Sequence, residues 1–450
     1  MRQRWLSVLI QVSLIVCGSA ASRVGVASAE LEIAVIGDRT GGHTPGIYEK
    51  ILMAAVGMDP DLVITVGDMI EGYAENAAVI EKRWREYHAL LEPIDVPIYF
   101  VAGNNDIWSD LSDSLYRRHI GEPNVSFDHA GHHFVLFHNG SWNRLDELPE
   151  ESLRWLEDDL SRSRPSGQTL VFMHIPYWYD GVAAGEPDPL HEMFVEHGVD
   201  AVFTGHYHDY FSGRYDGIIY TSVGSSGGVM QPSPTGLGYH FVWLSLDESG
   251  IEAEPVTIEG EVLPWDAVTV EERRRIRALR REGLRMADAV GLEHDLRAAS
   301  ERVTVIVEPP AEADPWDAML RWSVPAAWEV TPESLMVSLV GGETAELAFR
   351  AACAGDPYPV PAVQLRMPYE RDKWMAVEAD LRVSRTAFCP ELADLPDLDG
   401  ILTEATWRSP EVRLFAPDGS PPEIEPAGFY FAHDAGHLYF GAICRESVMD

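Results

Sequence analysis

The chain has 450 residues, 46% of them apolar, which is enough for two or three hydrophobic cores because single domains usually contain about 100–200 residues. Aspartate and glutamate number 72 against 34 lysines and arginines, giving a formal net charge of −38. A surface this acidic repels nucleic-acid backbones and anionic lipids, so binding to a nucleic-acid duplex is excluded as the main function.

The N-terminus has the pattern of a secretory signal peptide. A short basic start precedes an apolar run over Trp5–Val16, and small residues at 27–29 form a cleavage site. The run is shorter than the roughly 20 apolar residues that span a membrane. We therefore expect residues 1–29 to be removed, the protein to be periplasmic or extracellular, and no transmembrane segment. The alternative is a lipoprotein attached through Cys17, although that requires a small residue where this chain has valine.

Residues 30–259 alternate apolar runs of strand length with amphipathic helical stretches. Helices are predicted over Ile47–Met58 and from about Glu75 to Leu91. Strands are predicted over Leu31–Ile36, Leu62–Val66, Pro97–Val101, Thr169–Met173 and Ala201–Thr204. Each strand ends in a cluster of glycine, aspartate, asparagine or histidine. In an open α/β sheet this is the edge where ligands bind. The later Gly224–Gly228 stretch either cradles a phosphate or returns the chain beneath the site.

The amino-acid pattern of the C-terminal part changes twice. Val268–Ser300 is rich in arginine and has apolar residues at helical spacing, so we predict a helical connector over 260–301 with a solvated arginine face. Short alternating strands follow and predict an all-β sandwich over 302–387. Residues 388–450 contain too few strands for a core of their own and are interpreted as part of a larger β module.

Side chains that suit metal ions follow the predicted strands of the first region. They are Asp38, Asp68, Asn104, His174, His206 and His208. Oxygen donors and imidazoles that converge on one sheet edge are what two adjacent transition-metal ions need, with one carboxylate bridging them. Each motif alone is weak, because Gly-Asp after a strand is usually a turn. Their order, each at a strand end, indicates a metal site.

These motifs resemble those of the calcineurin-like metallophosphoesterase superfamily, which run D-x-H, G-D, G-N-H-D/E, H and G-H-x-H. The resemblance extends from Leu31 to about Glu259 and implies an α/β fold, a four-layer αββα sandwich of two sheets flanked by helices. It also implies two divalent or trivalent transition-metal ions (Fe, Zn or Mn). Carried over to this chain, Asp38 and His208 bind the first ion and Asp68 bridges. Asn104, His174 and His206 bind the second.

The same resemblance implies a reaction. Members of the superfamily hydrolyse phosphate monoesters or diesters by in-line attack of a metal-bridging hydroxide, while the two ions stabilise charge on the phosphoryl oxygens. The implied partner is therefore a phosphate ester substrate.

The first departure from the superfamily pattern is Thr40, which stands where the first motif has histidine. Purple acid phosphatases, which are relatives of the superfamily, also lack that histidine and supply a tyrosine three residues after the bridging aspartate. Here that position is Glu71, which we expect to act as the replacement metal ligand. His43 and Tyr73 are the other candidates.

The second departure is Asn105, which replaces the histidine that the superfamily uses near the leaving group. Asparagine cannot donate a proton to an alkoxide, and general acid catalysis is typically worth about 10²–10⁴-fold. The sequence therefore predicts metal binding with reduced turnover. His43, His240 and Asp106 are candidate substitute acids. Together with Asp68 and Asn105, we take His43 as a candidate catalytic residue.

Two further resemblances concern the C-terminal segments. Trp322–Phe349 resembles the Ig-like modules that accompany bacterial glycosidases. Leu398–Gly400 with Trp407, followed by His437–Phe440, is similar to the opening half of family 9-type carbohydrate-binding modules. These likenesses imply attachment to glycans or to a cell-surface polymer. A purely structural spacer is the alternative.

The leading hypothesis is a secreted, metal-dependent phosphoesterase. The alternative is a catalytically impaired phosphoesterase-fold protein that serves surface or glycan binding. Asn105 favours the alternative, whereas the complete set of His174, Asn104, His206 and His208 favours the enzyme.

Overall fold

The computed structural model describes residues 31–163, 165, 167–247, 250–293, 296–385, 391, 412–413, 428–433 and 435–443. The predicted signal peptide at 1–29, including Cys17, lies outside the described residues. So does most of the predicted carbohydrate-binding-like module, including Leu398–Gly400 and Trp407. Within the described ranges, no helix combines the length and the apolar character needed to cross a membrane.

The N-terminal region consists of short strands alternating with helices. Its strands are β1 (Leu31–Ile36), β2 (Leu62–Thr65), β3 (Ile98–Phe100), β4 (Val125–His129), β5 (His132–Leu136), β6 (Thr169–Phe172), β7 (Ala201–Thr204), β8 (Tyr210–Tyr215), β9 (Ile218–Val223), β10 (His240–Asp247) and β11 (Gly250–Thr257). Its helices are α1 (Ile47–Val56), α2 (Ala77–Leu91), α3 (Asp110–His119), α4 (Glu150–Arg162), α5 (Tyr177–Asp180) and α6 (Pro189–His197). All five predicted strands and both predicted helices of this region are present.

These strands form two sheets. One has the order β11-β10-β1-β2-β3, and the other has the order β4-β5-β6-β7-β9-β8. Within them β1, β2 and β3 run parallel, as do β5, β6 and β7. Parallel strands place their carboxyl ends at the same edge, so the residues that follow these strands are brought together.

The packing of β1 shows how four layers arise. Ile33 and Val35 lie in a buried cluster with residues of the six-stranded sheet, whereas Ala34 and Ile36 lie in a second cluster with Trp84 of α2. Because alternate side chains of a strand point to opposite faces, the five-stranded sheet is covered by the other sheet on one face and by helices on the other. Helices α4 and α6 also contribute to the first cluster. The result is the αββα arrangement that the resemblance implies.

The C-terminal region begins with α7 (Val270–Ala278), whose N-terminus is closed by a reciprocal capping box between Thr269 and Glu272. The helix continues into a π-helical turn over Leu279–Gly283. The strands that follow are β12 (Leu284–Met286), β13 (Val290–Leu292), β14 (Ala298–Val307), β15 (Trp316–Ser323), β16 (Trp328–Thr331), β17 (Ser334–Leu339), β18 (Ala345–Cys353), β19 (Ala362–Glu370), β20 (Lys373–Asp380) and β21 (Val383–Arg385). Two four-stranded sheets, β12-β14-β18-β16 and β17-β15-β19-β20, enclose one apolar core, and β13 pairs with β21.

The predicted helical connector over 260–301 is wrong outside Val270–Gly283, and strands begin at Leu284 rather than at residue 302. The apolar residues Ile276, Leu279 and Leu284 suggested a helical period, but all three are buried in the sandwich core. From Leu284 the pattern has become two-residue alternation, with Arg285 exposed between buried neighbours, and this segment pairs with β14. Tertiary pairing thus overrides the helical composition.

The last described strands are β22 (Val412–Arg413), β23 (Gly428–His433) and β24 (Leu438–Ile443), which form a three-stranded antiparallel sheet. The Ig-like character of the sandwich and the carbohydrate-binding character of the last segment stay predictions.

Candidate metal centre

Three of the predicted ligands meet between the two sheets. Asp38 follows β1, Asp68 follows β2 and His208 follows β7, and all three are buried. Each offers one ligand atom, and these atoms lie within 4.8 Å of one another. Two carboxylates and an imidazole at this separation are suitable ligands for a transition-metal ion.

The other three predicted ligands meet beside the first group. Asn104 Oδ1 lies 3.0 Å from His174 Nε2 and 2.9 Å from His206 Nδ1. His174 Nε2 is also 3.4 Å from Asp68 Oδ1, so Asp68 adjoins both groups. The six residues therefore form two adjacent sets of donors, with Asp68 between them.

Backbone carbonyls orient two of the imidazoles. The Nδ1 atom of His174 lies 2.8 Å from the carbonyl oxygen of Val66, and that of His208 lies 2.6 Å from the carbonyl oxygen of Val229. A carbonyl only accepts, so each Nδ1 carries the hydrogen and each Nε2 presents a lone pair. The Asn104 amide is oriented as well, because its Nδ2 donates to the hydroxyl of Tyr73. Such outer contacts are typical of metal sites.

The backbone at the ligands adopts an unfavourable conformation. Asp68, His206 and His208 have positive φ values of 56°, 73° and 55°. For residues other than glycine this conformation costs of order 1–3 kcal/mol each and persists where surrounding structure enforces it, often at functional sites. Two glycines let the chains approach. A Cβ atom at Gly103 would lie 2.2 Å from Asp68 Oδ1, and one at Gly205 would lie 2.7 Å from Asp38 Oδ2.

The Gly224–Gly228 stretch returns the chain beneath the site. The backbone N–H groups of Ser226 and Gly228 both donate to the carbonyl oxygen of Asp38, and the Ser226 hydroxyl accepts from Gly37 N–H. These donors are used to hold β1 in place, so they do not cradle a phosphate. The stretch leads directly into Val229, which orients His208.

Burial and charge set the protonation of the donors. Burial and the neighbouring Asp68 raise the pKa of Asp38 well above its ordinary value, although the N–H of His206 opposes the shift. Burial and the neighbouring His174 lower the pKa of His206 to about 4, and burial also lowers the pKa of His208. The His206 and His208 imidazoles are therefore neutral near pH 7, while ionisation of Asp38 beside Asp68 requires a nearby cation.

Thr40 and the three candidates for the missing ligand make contacts with other groups. The Thr40 hydroxyl donates to the carbonyl oxygens of Asp68 or Ile70, so it points away from the carboxylates. Glu71 Oε1 lies 2.8 Å from His43 Nδ1, and neither residue belongs to the group of Asp38, Asp68 and His208. Tyr73 contacts Asn104, in the second set of donors.

Asn105 holds the bridging candidate Asp68. Its backbone N–H donates to Asp68 Oδ1 over 2.8 Å, and its side-chain Nδ2 donates to Asp68 Oδ2 over 2.6 Å. Its own Oδ1 accepts from Gly72 N–H. The asparagine thus orients the carboxylate, a role that the superfamily comparison of this position did not predict.

The three candidate acids differ in accessibility. His240 is fully buried, with Nδ1 2.8 Å from the carbonyl oxygen of Gly238. Asp106 is also fully buried and accepts N–H groups of Met69, Ile70 and Gly103; burial and Asp68 raise its pKa to about 8. His43 is exposed, so among the three it is the one that solvent can reach.

Comparison with known proteins agrees with this geometry. Residues 31–210 match the family model described as calcineurin-like phosphoesterase. Serine/threonine-protein phosphatase CPPED1 of Bos taurus is 26% identical over 194 residues, which cover 37% of this chain and 59% of that protein. Purple acid phosphatase 23 of Arabidopsis thaliana is 25% identical over 222 residues, covering 38% of this chain and 47% of that protein.

This chain thus spans less than two thirds of either relative. A dimetal phosphatase from Danio rerio, of known structure, aligns with a TM-score of 0.38 and 14% identity over 53% of this chain and 100% of its own. The family match and the phosphatase relatives support one conclusion: the chain contains a calcineurin-like metallophosphoesterase domain with an α/β fold.

Proposed function

We propose that the protein is a secreted, metal-dependent hydrolase of phosphate monoesters or diesters. The observation that carries the proposal is the meeting of six donors between the two sheets, in two sets that share Asp68. Secretion is supported by the signal-peptide pattern of residues 1–29.

The donor set fits a pair of transition-metal ions. Asp38 and His208 would hold one ion, Asn104, His174 and His206 the other, and Asp68 would contact both. Mixed carboxylate, imidazole and amide ligands suit Fe, Zn or Mn. When bound, such ions lower the pKa of water and stabilise charge on the phosphoryl oxygens.

The chain's own residues prepare the site for this chemistry. Carbonyl contacts hold the His174 and His208 rings with Nε2 directed inward, and Asn105 holds both oxygens of Asp68. These contacts fix the ligands before substrate arrives, which spares the reaction the cost of reorganising them. His43, oriented by Glu71, is the exposed imidazole that can deliver a proton to the leaving group.

One assay tests the proposal. The purified protein, loaded separately with zinc, manganese or iron, is assayed against p-nitrophenyl phosphate and bis(p-nitrophenyl) phosphate, and the bound metal is counted by elemental analysis. We expect about two ions per chain and hydrolysis of at least one ester. Fewer than half an equivalent of metal, or metal without hydrolysis of either ester, would contradict the proposal.

The binding-protein hypothesis is favoured by one contact. Asn105 replaces a proton-donating side chain and is committed to Asp68 through two hydrogen bonds. A protein that binds two metal ions but hydrolyses no phosphate ester would establish this alternative. Retention of the protein on glycans or cell-wall polymer would then identify the role of the C-terminal segments.

A further inference from the structure

A basic pocket has both chain neighbours of the candidate ligand His208 among its lining residues. It offers about 430 Å³ of space, more than ten times the roughly 30 Å³ that one water molecule occupies in the liquid. We call it the arginine pocket, and it is lined by Tyr207, Asp209, Gln231, Arg273, Arg277, Arg280 and Arg281. The four arginines come from α7 and from the turn that follows it. The arginine face of this segment was predicted to be solvated.

The arginine pocket and the metal centre share two segments of chain. Tyr207 and Asp209 flank His208, and Gln231 lies two residues after Val229, whose carbonyl orients the His208 ring. Arg280 also contacts the loop that contains Gln231, because its guanidinium donates to the carbonyl oxygen of Ser233. The segments that carry and orient one candidate metal ligand, His208, therefore also supply three of the residues that line the arginine pocket.

The inner end of the pocket holds a buried, incompletely satisfied ion pair. Arg273 is only 1% exposed, and its Nε donates to Asp209 Oδ2 over 2.9 Å. Its guanidinium lies 4.4 Å from the ring centre of Tyr179, 4.7 Å from that of Tyr207 and 4.2 Å from that of Phe211. In the described part of the chain, Arg273 Nη1 and Asp209 Oδ1 both have no hydrogen-bond partner. Buried polar atoms are nearly always paired, so these two indicate a missing group that accepts from Nη1 and donates to Oδ1, as a protonated phosphate oxygen does.

The outer part of the pocket carries uncompensated positive charge. Arg277 is exposed and makes no hydrogen bond or ion pair with any other described residue, whereas Arg281 is paired with Glu282. Burial lowers the pKa of Arg280, and the nearby Arg273 and Arg277 cations lower it further. Four guanidinium groups thus converge against one lining carboxylate in a chain whose net charge is −38. Such a concentration of one sign attracts an anion.

We propose that the arginine pocket binds a second phosphate group of the substrate, so that the preferred substrates are phosphate esters carrying another phosphate. Guanidinium groups present paired N–H donors that match phosphate oxygens, and a doubly charged phosphate uses several of them at once. This inference rests on the proposed function, because it assigns the non-reacting end of the molecule that is hydrolysed.

The kinetic test uses α,ω-alkanediol bisphosphates with two to six carbons and the matching alkyl monophosphates. The varied chain length samples the unknown spacing between the two sites. For the best-fitting length we expect kcat/KM to be at least about tenfold higher for the bisphosphate than for the monophosphate. The presence of two equivalent phosphates would by itself give only a factor of about two. In Arg277→Gln the ratio of the two kcat/KM values should fall to about two. Arg275→Gln is the matched control, since it removes a charge from the same helix but pairs with Glu370 outside the pocket.

A binding measurement separates this inference from the proposed function. Inorganic phosphate is titrated by calorimetry into the full chain as purified, for the unmodified protein, Arg277→Gln and Arg275→Gln. We expect roughly tenfold weaker binding in Arg277→Gln and no change in Arg275→Gln. Should Arg277→Gln fail to fold, Arg281→Gln replaces it, since that side chain is exposed.

The outcomes are distinct. Hydrolysis of phosphate esters with neither the substrate ratio nor phosphate binding dependent on Arg277 overturns the arginine pocket and leaves the proposed function standing. Arg277-dependent phosphate binding without hydrolysis of any ester overturns the proposed function instead, and the pocket stands as a phosphate site of a binding protein.

Discussion

The two halves of the candidate metal centre occupy equivalent strand ends but differ in chemistry. Asp38, Asp68 and His208 bring two carboxylates into a buried space, where the pKa of Asp38 is raised by burial and by Asp68. Asn104, His174 and His206 bring an amide and two imidazoles, with Asn104 Oδ1 3.0 Å from His174 Nε2 and 2.9 Å from His206 Nδ1.

The two halves therefore depend on a cation to different degrees. In the second half, the Val66 carbonyl and the Tyr73 hydroxyl hold His174 and Asn104 in place without metal. The first half accumulates negative charge that a cation must compensate. It also lacks a ligand at Thr40, whose hydroxyl is bonded to backbone carbonyl oxygens. We therefore expect the second half to bind its ion more tightly.

The largest effect is expected where the two halves join. Asp68→Ala should remove metal from both positions and lower hydrolysis by about 10³-fold or more, because a bridging carboxylate serves both ions. Elemental analysis and the p-nitrophenyl phosphate assay measure the two losses. Asp95→Ala, at an exposed position, is the control. A variant that keeps half of its metal and activity would show that Asp68 does not bridge.

Separate substitutions should distinguish the halves. His174→Ala should empty mainly the second half and His208→Ala mainly the first, each with a loss in metal affinity greater than the 10–100-fold that outer contacts of a metal site contribute. Titration with a chromophoric chelator gives the number of ions retained and their affinities. If both variants lose the same ion, the division into two halves is wrong.

The Asn105 position tests the departure from the superfamily. Asn105→His should raise the turnover of alkyl phosphates by up to about 10²-fold relative to p-nitrophenyl esters, whose leaving group needs no proton. The gain is offset in part, because the variant loses the side-chain hydrogen bond to Asp68. Asn105→Ala separates that loss from the gain of a proton donor. Equal changes for both ester classes would rule out a role in protonating the leaving group.

The two halves should respond differently to pH. Metal binding to the first half must displace a proton from Asp38, whose raised pKa favours the neutral acid. Its apparent affinity should therefore fall about tenfold per pH unit as the pH is lowered through that pKa. His206 stays neutral until the pH approaches its pKa of about 4, so the second half should keep its ion to lower pH. Metal occupancy measured at several pH values after dialysis checks the order of loss.

The smallest effect concerns stability. A group whose pKa is higher in the folded than in the unfolded state stabilises the fold below its unfolded pKa, and that contribution disappears as the pH rises through the folded pKa. Asp38 and Asp106 are such groups, and the pKa of Asp106 is about 8. Above about pH 7, where unfolded histidines are neutral, the free energy of unfolding of the metal-free protein should fall by about 1.4 kcal/mol per pH unit for each proton that unfolding releases. The contribution of each carboxyl group to this fall ends once the pH exceeds its pKa in the folded state.

Metal should oppose this loss, since ligand at 100 times its Kd stabilises a protein by about 2.7 kcal/mol. Thermal unfolding of chelated and metal-loaded protein between about pH 7 and pH 9 measures both effects. Equal midpoints for the two forms at every pH would contradict the assignment of the cluster as a metal site.

Much of the N-terminal fold could be predicted from the sequence because local signals and tertiary pairing agree there. The predicted strand Leu31–Ile36 is apolar except for Glu32 and becomes β1, which is buried on both faces from Ile33 onward. The second predicted helix begins at Ala77 because Asn76 caps it. The C-terminal helix prediction failed beyond Gly283 because residues that suggested helical spacing, such as Leu284, belong to strands of a β-sandwich core.

The available ligands and their order along the chain could be read from the sequence. Asp38, Asp68 and Asn104 follow β1, β2 and β3, and parallel strands collect such residues at one edge of a sheet, whereas His174 follows β6 of the other sheet. This inference needs only local periodicity and a general rule of sheet topology.

The roles of the surrounding residues depend on the three-dimensional packing. The sequence does not show that Asn105 holds both oxygens of Asp68, that Glu71 lies against His43, or that arginines of α7 line a pocket together with Tyr207 and Asp209. These contacts join positions far apart in the chain. They depend on how the sheets, the loops and the first helix of the C-terminal region pack, and local sequence pattern carries no information about that packing.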